Sequence, residues 1–298
     1  MAIHDDLGTR MKTFYENTYR FGMTRRMPVA IRIDGKAFHT FTKGFERPFD
    51  EVLSNAMIRT MEYLCKNIQG CVFGYTQSDE ITLILLDYQT LQTEAWFGYE
   101  IQKICSISAS MATMAFNKFF GDEVHKFHEE HCRVDEYFDY CGNHWDNKEN
   151  EELYGIYCKK LRTALFDSRC FNIPKEEVCN LIYWRQLDAT RNSIQMVGQA
   201  NFSHTELQGK SCNDIQDMLH EQKGINWNDY PTRWKRGVAC HKVIDKVDTK
   251  EICEPQEFGE PRKYVKKTTY YKWETDLDMP ILKGEDRAYV EDLIFIGE

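Results

Sequence analysis

Residues 71–86 read Cys71-Val72-Phe73-Gly74-Tyr75-Thr76-Gln77-Ser78-Asp79-Glu80-Ile81-Thr82-Leu83-Ile84-Leu85-Leu86. Two apolar runs rich in β-branched and aromatic residues flank a short polar turn, the pattern of an antiparallel hairpin. Upstream, Pro28-Val29-Ala30-Ile31-Arg32-Ile33 is a further β run that stops at Asp34-Gly35. Between that run and the hairpin, Val52, Leu53, Ala56, Met57, Met61 and Leu64 recur at helical spacing, which predicts a helix over 49–68. Downstream, 95–120 has a helical pattern with Ser106, Ser108, Ala109, Ser110, Ala112 and Ala115, small residues that permit close packing on a sheet. A fourth strand is predicted over 168–173. Pro174 then suits a first helical position, and Glu176 and Glu177 fall where the helix dipole favours acid. The order β-α-β-β-α-β-α predicts an α+β fold of the ferredoxin-like, split-βαβ kind: an antiparallel sheet backed by helices.

The remaining segments fit around this unit. Residues 121–165 are charged, aromatic and aperiodic, and read as an insertion. A helix is expected over 212–222, and strands over 237–247 and 263–273, arranged as a hairpin with a long loop. The division expected is a catalytic domain over 1–200 and a C-terminal helical and stranded extension over 201–298, packed on it.

Composition narrows the classes. The 298 residues suffice for a sizeable core, with 42% hydrophobic residues and a mean hydropathy of −0.59. No apolar run approaches the ~20 residues of a membrane helix. The first residues lack the basic-then-apolar pattern of a secretory signal. The net charge of −9 argues against wrapping of bulk nucleic acid. A polynucleotide would be met by a local basic patch, or held weakly with metal ions neutralising its phosphates. The 11 cysteines are odd in number and dispersed, with no CxxC pair, so reduced thiols and a cytoplasmic location are expected.

Two acids stand out. Asp34 closes the first strand and Asp79 lies in the hairpin turn. In a ferredoxin-like sheet the first strand lies beside the third, so the two carboxylates converge at one edge. Converging carboxylates repel unless a cation neutralises them, and a pair holding Mg²⁺ is what phosphoryl transfer uses. Gly35 allows a sharp turn with its carbonyl toward an ion. Lys36, His39, Lys43 and Arg47 supply cationic or hydrogen-bonding groups suited to a triphosphate. Ser78 could donate to a phosphate oxygen, and Lys103 on the following helix could reach the same place. No Ser-His-Asp arrangement, GxxxxGK loop or HExxH motif points to other chemistry.

Three stretches occur in order: Arg32-Ile33-Asp34-Gly35-Lys36-Ala37-Phe38-His39, then Thr76-Gln77-Ser78-Asp79-Glu80, then Tyr183-Trp184-Arg185-Gln186-Leu187-Asp188-Ala189-Thr190-Arg191-Asn192-Ser193. Together, over roughly 5–245, they resemble the tRNA(His) guanylyltransferase family with its guanylyltransferase-like 3′-to-5′ polymerases. The resemblance implies a polymerase-like palm and nucleotide addition to the 5′ end of a tRNA, with two Mg²⁺ ions and with ATP, GTP and other nucleoside triphosphates as substrates. It implies that Asp34, the Gly35 carbonyl and Asp79 are metal ligands, and that Glu80 belongs with the catalytic carboxylates. Lys36, Ala37, Phe38, His39, Arg47 and Ser78 fall at triphosphate positions, and Asp50 near the incoming base. Lys103 matches a lysine of 5′-end activation, and Arg32 and Asn192 match further nucleotide-site positions. Thr190-Arg191-Asn192-Ser193-Ile194-Gln195-Met196 departs from the eukaryotic signature and resembles the archaeal and bacterial like proteins, which favour template-directed repair of 5′-truncated tRNAs. A homotetramer is expected from the same resemblance.

For tRNA itself, Arg233, Lys235 and Arg236 cluster around Trp234, followed by Lys242. Further on come Lys263, Lys266 and Lys267 with Tyr270 and Tyr271. Basic groups neutralise phosphate and aromatic rings stack on unpaired bases. Arg185 of the third stretch is grouped with them. In the insertion, His125, His128, His131, Cys132, Cys141 and His144 are dense enough to raise structural Zn²⁺, although the spacing is not that of a standard finger. The competing classes are another palm-domain nucleotidyltransferase or cyclase, which would share the two aspartates but not the Trp184-Arg185-Gln186 segment, and a non-catalytic tRNA-binding protein.

Overall fold

A computed structural model describes residues 5–132, 148–254 and 262–296, with backbone alone at 251–254, 262–264 and 266. A short helix α1 (Asp6–Met11) precedes β1 (Val29–Gly35), the single turn α2 (Phe38–Phe41) and α3 (Glu51–Asn67). The hairpin strands β2 (Cys71–Gln77) and β3 (Glu80–Leu85) lead to the long α4 (Ile101–His131). Then come α5 (Lys148–Lys160), β4 (Phe166–Asn172) and α6 (Lys175–Asn201). The chain continues through α7 (His204–Leu207), α8 (Cys212–Lys223) and α9 (Thr232–Arg236). It ends with β5 (Val238–Glu254), β6 (Arg262–Asp276) and α10 (Ala288–Ile294).

The strands form one sheet in the order β4-β1-β3-β2-β5-β6, with every neighbouring pair antiparallel. The first four strands are the ferredoxin-like palm expected from the element order. Alternation along β1 separates its two faces. Val29, Ile31 and Ile33 join Met57, Met61 and Leu64 of α3 and Phe116 and Phe120 of α4 in one core. Ala30, with Phe73, Tyr75 and Ile84, joins Val178 and Ile182 of α6 and Val290 and Ile294 of α10 in the other. Small residues do seat α4 on the sheet: Ser108 of α4 and Ser168 of β4 share a hydrogen bond of 2.8 Å. A third cluster ties Ile194 and Val197 of α6 to Ile215 and Leu219 of α8.

Two expectations change. The region 121–165 does not start as an insertion, because α4 continues unbroken to His131. Its second helix is also core: Tyr157 of α5 is 1% exposed and lies edge-on to Phe45, Phe120 and Phe127. Aromatic residues there read as aperiodic because one helix face needs only Tyr157 to reach the interior. The C-terminal strands are longer than expected. They pair from Ala239↔Asp276 to Glu254↔Arg262, with one register shift between Ile244 and Lys246, so strand extends well into the expected hairpin loop. Only the base of this ribbon, Val238 to His241, pairs with β2.

Candidate active site

Asp34 is the last side chain before β1 ends. Its register partners are Glu80 on β3 and Asp167 on β4. Asp79 sits one residue before Glu80, in the β2–β3 turn, where the Gly35 N–H donates to the Asp79 carbonyl at 3.1 Å. That bond locks the end of β1 to the turn and brings both aspartates to one sheet edge. The Asp79 carboxyl is pushed up chiefly by burial. Ser78 Oγ, donating at 3.0 Å, opposes the shift, and the Asp34 charge adds to it. The two acids therefore feel each other's charge. Two carboxylates at one place suit a hard cation, which would take its remaining ligands from phosphate and water. Among the described residues no group of three His, Cys, Asp or Glu side chains could enclose a metal without such help.

Beside the acids lies a cavity of about 610 Å³, whose walls include Gly35, His39, Lys43, Arg47, Ser78 and Asp79. Ala37 enters α2 in the left-handed conformation, φ 55°. The N–H groups of Ala37, Phe38 and His39 meet no protein acceptor among the described residues, and such a turn of open amides is an anion cradle. Lys36, His39, Lys43 and Arg47 are exposed, and none forms an ion pair with a described residue. Gly35 serves differently from expectation. Its φ is not positive, but a Cβ there would lie 2.3 Å from the Phe38 ring, so glycine is needed for Phe38 to tuck under the strand end.

Several expected contacts are corrected by what the side chains touch. Asp50 is 6% exposed and its oxygens are engaged: Oδ1 accepts from Leu53 N at 2.8 Å, and Oδ2 from Glu46 N at 3.0 Å and Tyr157 Oη at 2.6 Å. It caps α3 and shapes the cavity wall rather than reaching into it for a base. Arg32 and Glu80 are committed to each other, Nη2 to Oε1 at 2.8 Å, and the Arg32 guanidinium lies over Trp184 at 5.4 Å. Arg32 is thus no free nucleotide ligand and Glu80 no free metal ligand. Burial pushes the Glu80 carboxyl up, while Arg185 and Arg32 pull it down. Arg185, 4% exposed, cannot contact RNA. It lies between Glu80 at 3.1 Å and Asp188 at 2.5 Å. Lys103 is exposed and 3.9 Å from Glu100. It precedes Cys105 by two residues on α4, and Cys105 packs on Cys170 of β4, three residues along from Asp167, the register partner of Asp34.

The basic cluster around Trp234 also divides. Lys235 is 8% exposed and donates to Asn228 O at 2.6 Å, which removes it from any RNA patch, and burial lowers its pKa. Arg236 turns onto Thr232 at 3.3 Å. Arg233 pairs with Glu51 at 3.0 Å and lies over Trp234 at 4.2 Å. Trp234 stacks on Phe49 with centroids 5.0 Å apart. Phe49, Arg233 and Trp234, with Asn192, Met196 and Gly237, wall a smaller pocket of about 90 Å³ that shares Asp50, Leu53, Ser78 and Met196 with the cavity above. The sequence reading noticed Trp234 but not Phe49, its distant partner in sequence. Gly237 was missed as well: at φ 84° a Cβ would meet Thr76 O and Tyr75 Oη at 2.6 Å. Lys242 and Lys267 are exposed on the ribbon, whereas the side chains of Lys263 and Lys266 lie outside the described residues. Of the zinc candidates, His128 packs on Tyr154 at 4.4 Å, His131 lies edge-on to Phe127, and Cys141 and His144 lie outside the described residues.

A palm sheet with paired aspartates at one edge, beside an anion cradle, is the architecture of a nucleotidyltransferase. The family model for tRNAHis guanylyltransferase matches residues 8–174, more than half of the chain, and the protein belongs to that family of nucleotidyltransferase enzymes. Among curated relatives, it is 28% identical over 267 residues to an uncharacterised protein of Acanthamoeba polyphaga mimivirus, covering 83% of this chain and 80% of the relative. It is 25% identical over 229 residues to the tRNA(His) guanylyltransferase of Saccharomyces cerevisiae, covering 70% and 80%. Among solved structures, a bacterial tRNA(His) guanylyltransferase-like protein in complex with ATP is 37% identical, with a TM-score of 0.73 over 98% of this chain and 100% of that one. The same kind of protein in complex with GTP is 35% identical with a TM-score of 0.68, again over 98% and 100%.

Proposed function

We propose that the enzyme adds nucleotides to the 5′ end of tRNA in the 3′-to-5′ direction, directed by the opposing strand, and so repairs truncated 5′ ends. The observation that carries this reading is that Asp34 and Asp79 feel each other's charge beside a cavity whose wall holds Asp79, Lys43, Arg47 and the open amides of Ala37–His39. The likeness to proteins solved with ATP and with GTP supports nucleoside triphosphates as the occupants.

In this proposal Asp34, Asp79 and the Gly35 carbonyl hold two Mg²⁺ ions, which supply charge neutralisation at the phosphates and activation of the attacking oxygen. The Ala37–His39 amides, Lys36, Lys43 and Arg47 bind and orient the triphosphate. Ser78 fixes the Asp79 carboxylate. A 5′-monophosphate attacks the α-phosphorus of ATP, releasing pyrophosphate and leaving an adenylylated end. The 3′-hydroxyl of the incoming nucleotide then attacks the 5′ phosphorus and expels AMP. A triphosphorylated end omits the first step and loses pyrophosphate instead. Both displacements are in line at phosphorus, so one site serves both. Among the described residues, the exposed Lys242 and Lys267 are basic candidates for tRNA contact.

Two expectations remain part of the proposal. Nine described cysteines are free thiols, which supports a cytoplasmic setting. The exposed Leu7, Phe14, Tyr19 and Phe21 near the N-terminus support burial in a homotetramer, which light scattering tests. The central experiment incubates the protein with a 5′-truncated tRNA, Mg²⁺ and labelled GTP. Extension of monophosphate or triphosphate ends is expected, and no extension of either would overturn the reading.

A further inference from the structure

We propose that Arg185 is a positioning residue that couples the wall of the smaller pocket to the carboxylate pair. The proposal rests on the reading that Asp34 and Asp79 take the cation and that the joined cavities take the nucleotide.

Arg185 stands on α6 with its side chain 5% exposed. Its Nε lies 3.1 Å from Glu80 Oε1, and a terminal nitrogen 2.5 Å from Asp188 Oδ2. The guanidinium plane is stacked over Trp184 at 4.2 Å. Arg32 Nη2 lies 2.8 Å from the same Glu80 oxygen. Glu80 opens β3 and directly follows Asp79, the last residue of the β2–β3 turn. Holding Glu80 against α6 therefore restrains the turn that carries Asp79. At the far end of the chain of contacts, Asp188 pairs with Arg191 and accepts from Asn192 Nδ2 at 3.5 Å. Asn192 is one helical turn further along α6 and lines the smaller pocket. A buried guanidinium between two acids cannot shift without leaving a charge unpaired. A ligand that moves Asn192 thus moves Asp188, Arg185, Glu80 and the turn that carries Asp79. Coupling of this kind is reciprocal: a cation at the aspartates must change the affinity of whatever touches Asn192 by the same factor.

The test uses guanosine and adenosine, which lack phosphates and so cannot bind the cation directly. Calorimetry gives the Kd of each nucleoside with Mg²⁺ and with EDTA. For the wild type, the better-bound nucleoside is expected to bind about fivefold or more tightly with Mg²⁺, the lower range of allosteric coupling. In Arg185→Met the two Kd values should agree within about twofold, with Arg185→Lys in between. Asp188→Asn, which keeps the shape of the helix, should lower the ratio as well and guards against a misfolded Arg185→Met. A purely structural role would lower melting temperature in these variants while leaving the Mg²⁺ ratio intact, and that result would overturn the proposal. So would a wild-type ratio of one. Failure of the proposed function registers separately, as absence of 5′ extension by the wild type.

Discussion

Asp79→Asn should raise the stability of the protein while abolishing its activity. Asp79 directly precedes Glu80, the register partner of Asp34, and the Asp34 charge acts on the Asp79 carboxyl. Side chains on adjacent strands lie about 5–8 Å apart. At such separations, with an effective dielectric of about 20, two like charges repel by about 2–3 kcal/mol. Part of this is screened at the open edge, which leaves about 1 kcal/mol for the variant to recover. That corresponds to a gain of about 2–4 °C in melting temperature. The sign with pH follows from the raised Asp79 carboxyl, caused first by burial and then by the Asp34 charge. A group whose folded pKa is raised binds its proton more tightly in the folded state. Its contribution to stability is full below the unfolded pKa, about 3.9, and is lost as pH rises through the folded value. The gap between variant and wild type should therefore be absent near pH 3.5, open through the acid range, and be complete at neutrality. Mg²⁺ should close the gap by stabilising the wild type alone. Scanning fluorimetry from acid to neutral pH, with EDTA or Mg²⁺, reads all of this, and a 5′-extension assay should show a loss of about 10³-fold or more, as expected for removing a metal-ligand charge from phosphoryl transfer. A variant less stable than the wild type in EDTA at neutral pH, or one that extends tRNA normally, would refute the claim that the two acids oppose each other around a shared cation.

Gly237→Ala should cost about 3 kcal/mol, because the Cβ meets backbone and hydroxyl oxygens at 2.6 Å in a glycine-only conformation; urea denaturation checks this, and a change under about 0.5 kcal/mol would contradict the packing described. Tyr157→Phe should destabilise by about 1.5–3 kcal/mol, since the hydroxyl donates to the buried Asp50 carboxylate; a fall in thermal midpoint without loss of metal dependence is expected. Trp234→Ala should raise KM for the nucleotide more than it lowers kcat, by removing the stacked wall of the smaller pocket; unchanged KM would move the nucleotide elsewhere. The affinity for tRNA should fall steeply with salt, and Lys242→Glu with Lys267→Glu should flatten that slope in a filter-binding titration.

How far the sequence spoke depended on the kind of signal. The palm was legible because β1, β2 and β3 are short apolar runs cut off by turns, and the connecting helices carry the 3.6-residue period. Asp34 and Asp79 stood out for the same reason, as acids at places where strands must end. Charged residues inside the fold were not legible. Arg185 and Lys235 look like surface cations in sequence, and nothing local says that Glu80, Asp188 and the Asn228 carbonyl await them. Asp50 was placed near the nucleotide, but its hydroxyl partner Tyr157 lies in a segment whose periodicity is weak. The pocket formed by Phe49, Asn192 and Trp234 was out of reach because its walls come from three distant segments, a property of tertiary packing alone.

The charge balance of the site follows from these pairings rather than from the net charge of −9. Arg32, Arg185, Arg191 and Arg233 are each neutralised by a neighbouring acid, and Glu80 is shared between two of them. What is left to act at the cavity is the aspartate pair at one end and His39, Lys43 and Arg47 in the wall, with the Glu46 carboxyl among them. An anion entering such a cavity meets at its tail Lys43 and Arg47, which form no ion pair with a described residue. At its reactive end it meets two carboxylates that repel it unless a divalent ion intervenes. On the proposed reading, triphosphate and cation bind together at the reacting phosphorus, whereas a nucleotide without the cation engages only through its distal phosphates. The Mg²⁺ dependence of the reaction should accordingly lie mainly in kcat, with a smaller part in KM. Equal weakening of both on lowering Mg²⁺ would mean that the cation serves only to carry the triphosphate in.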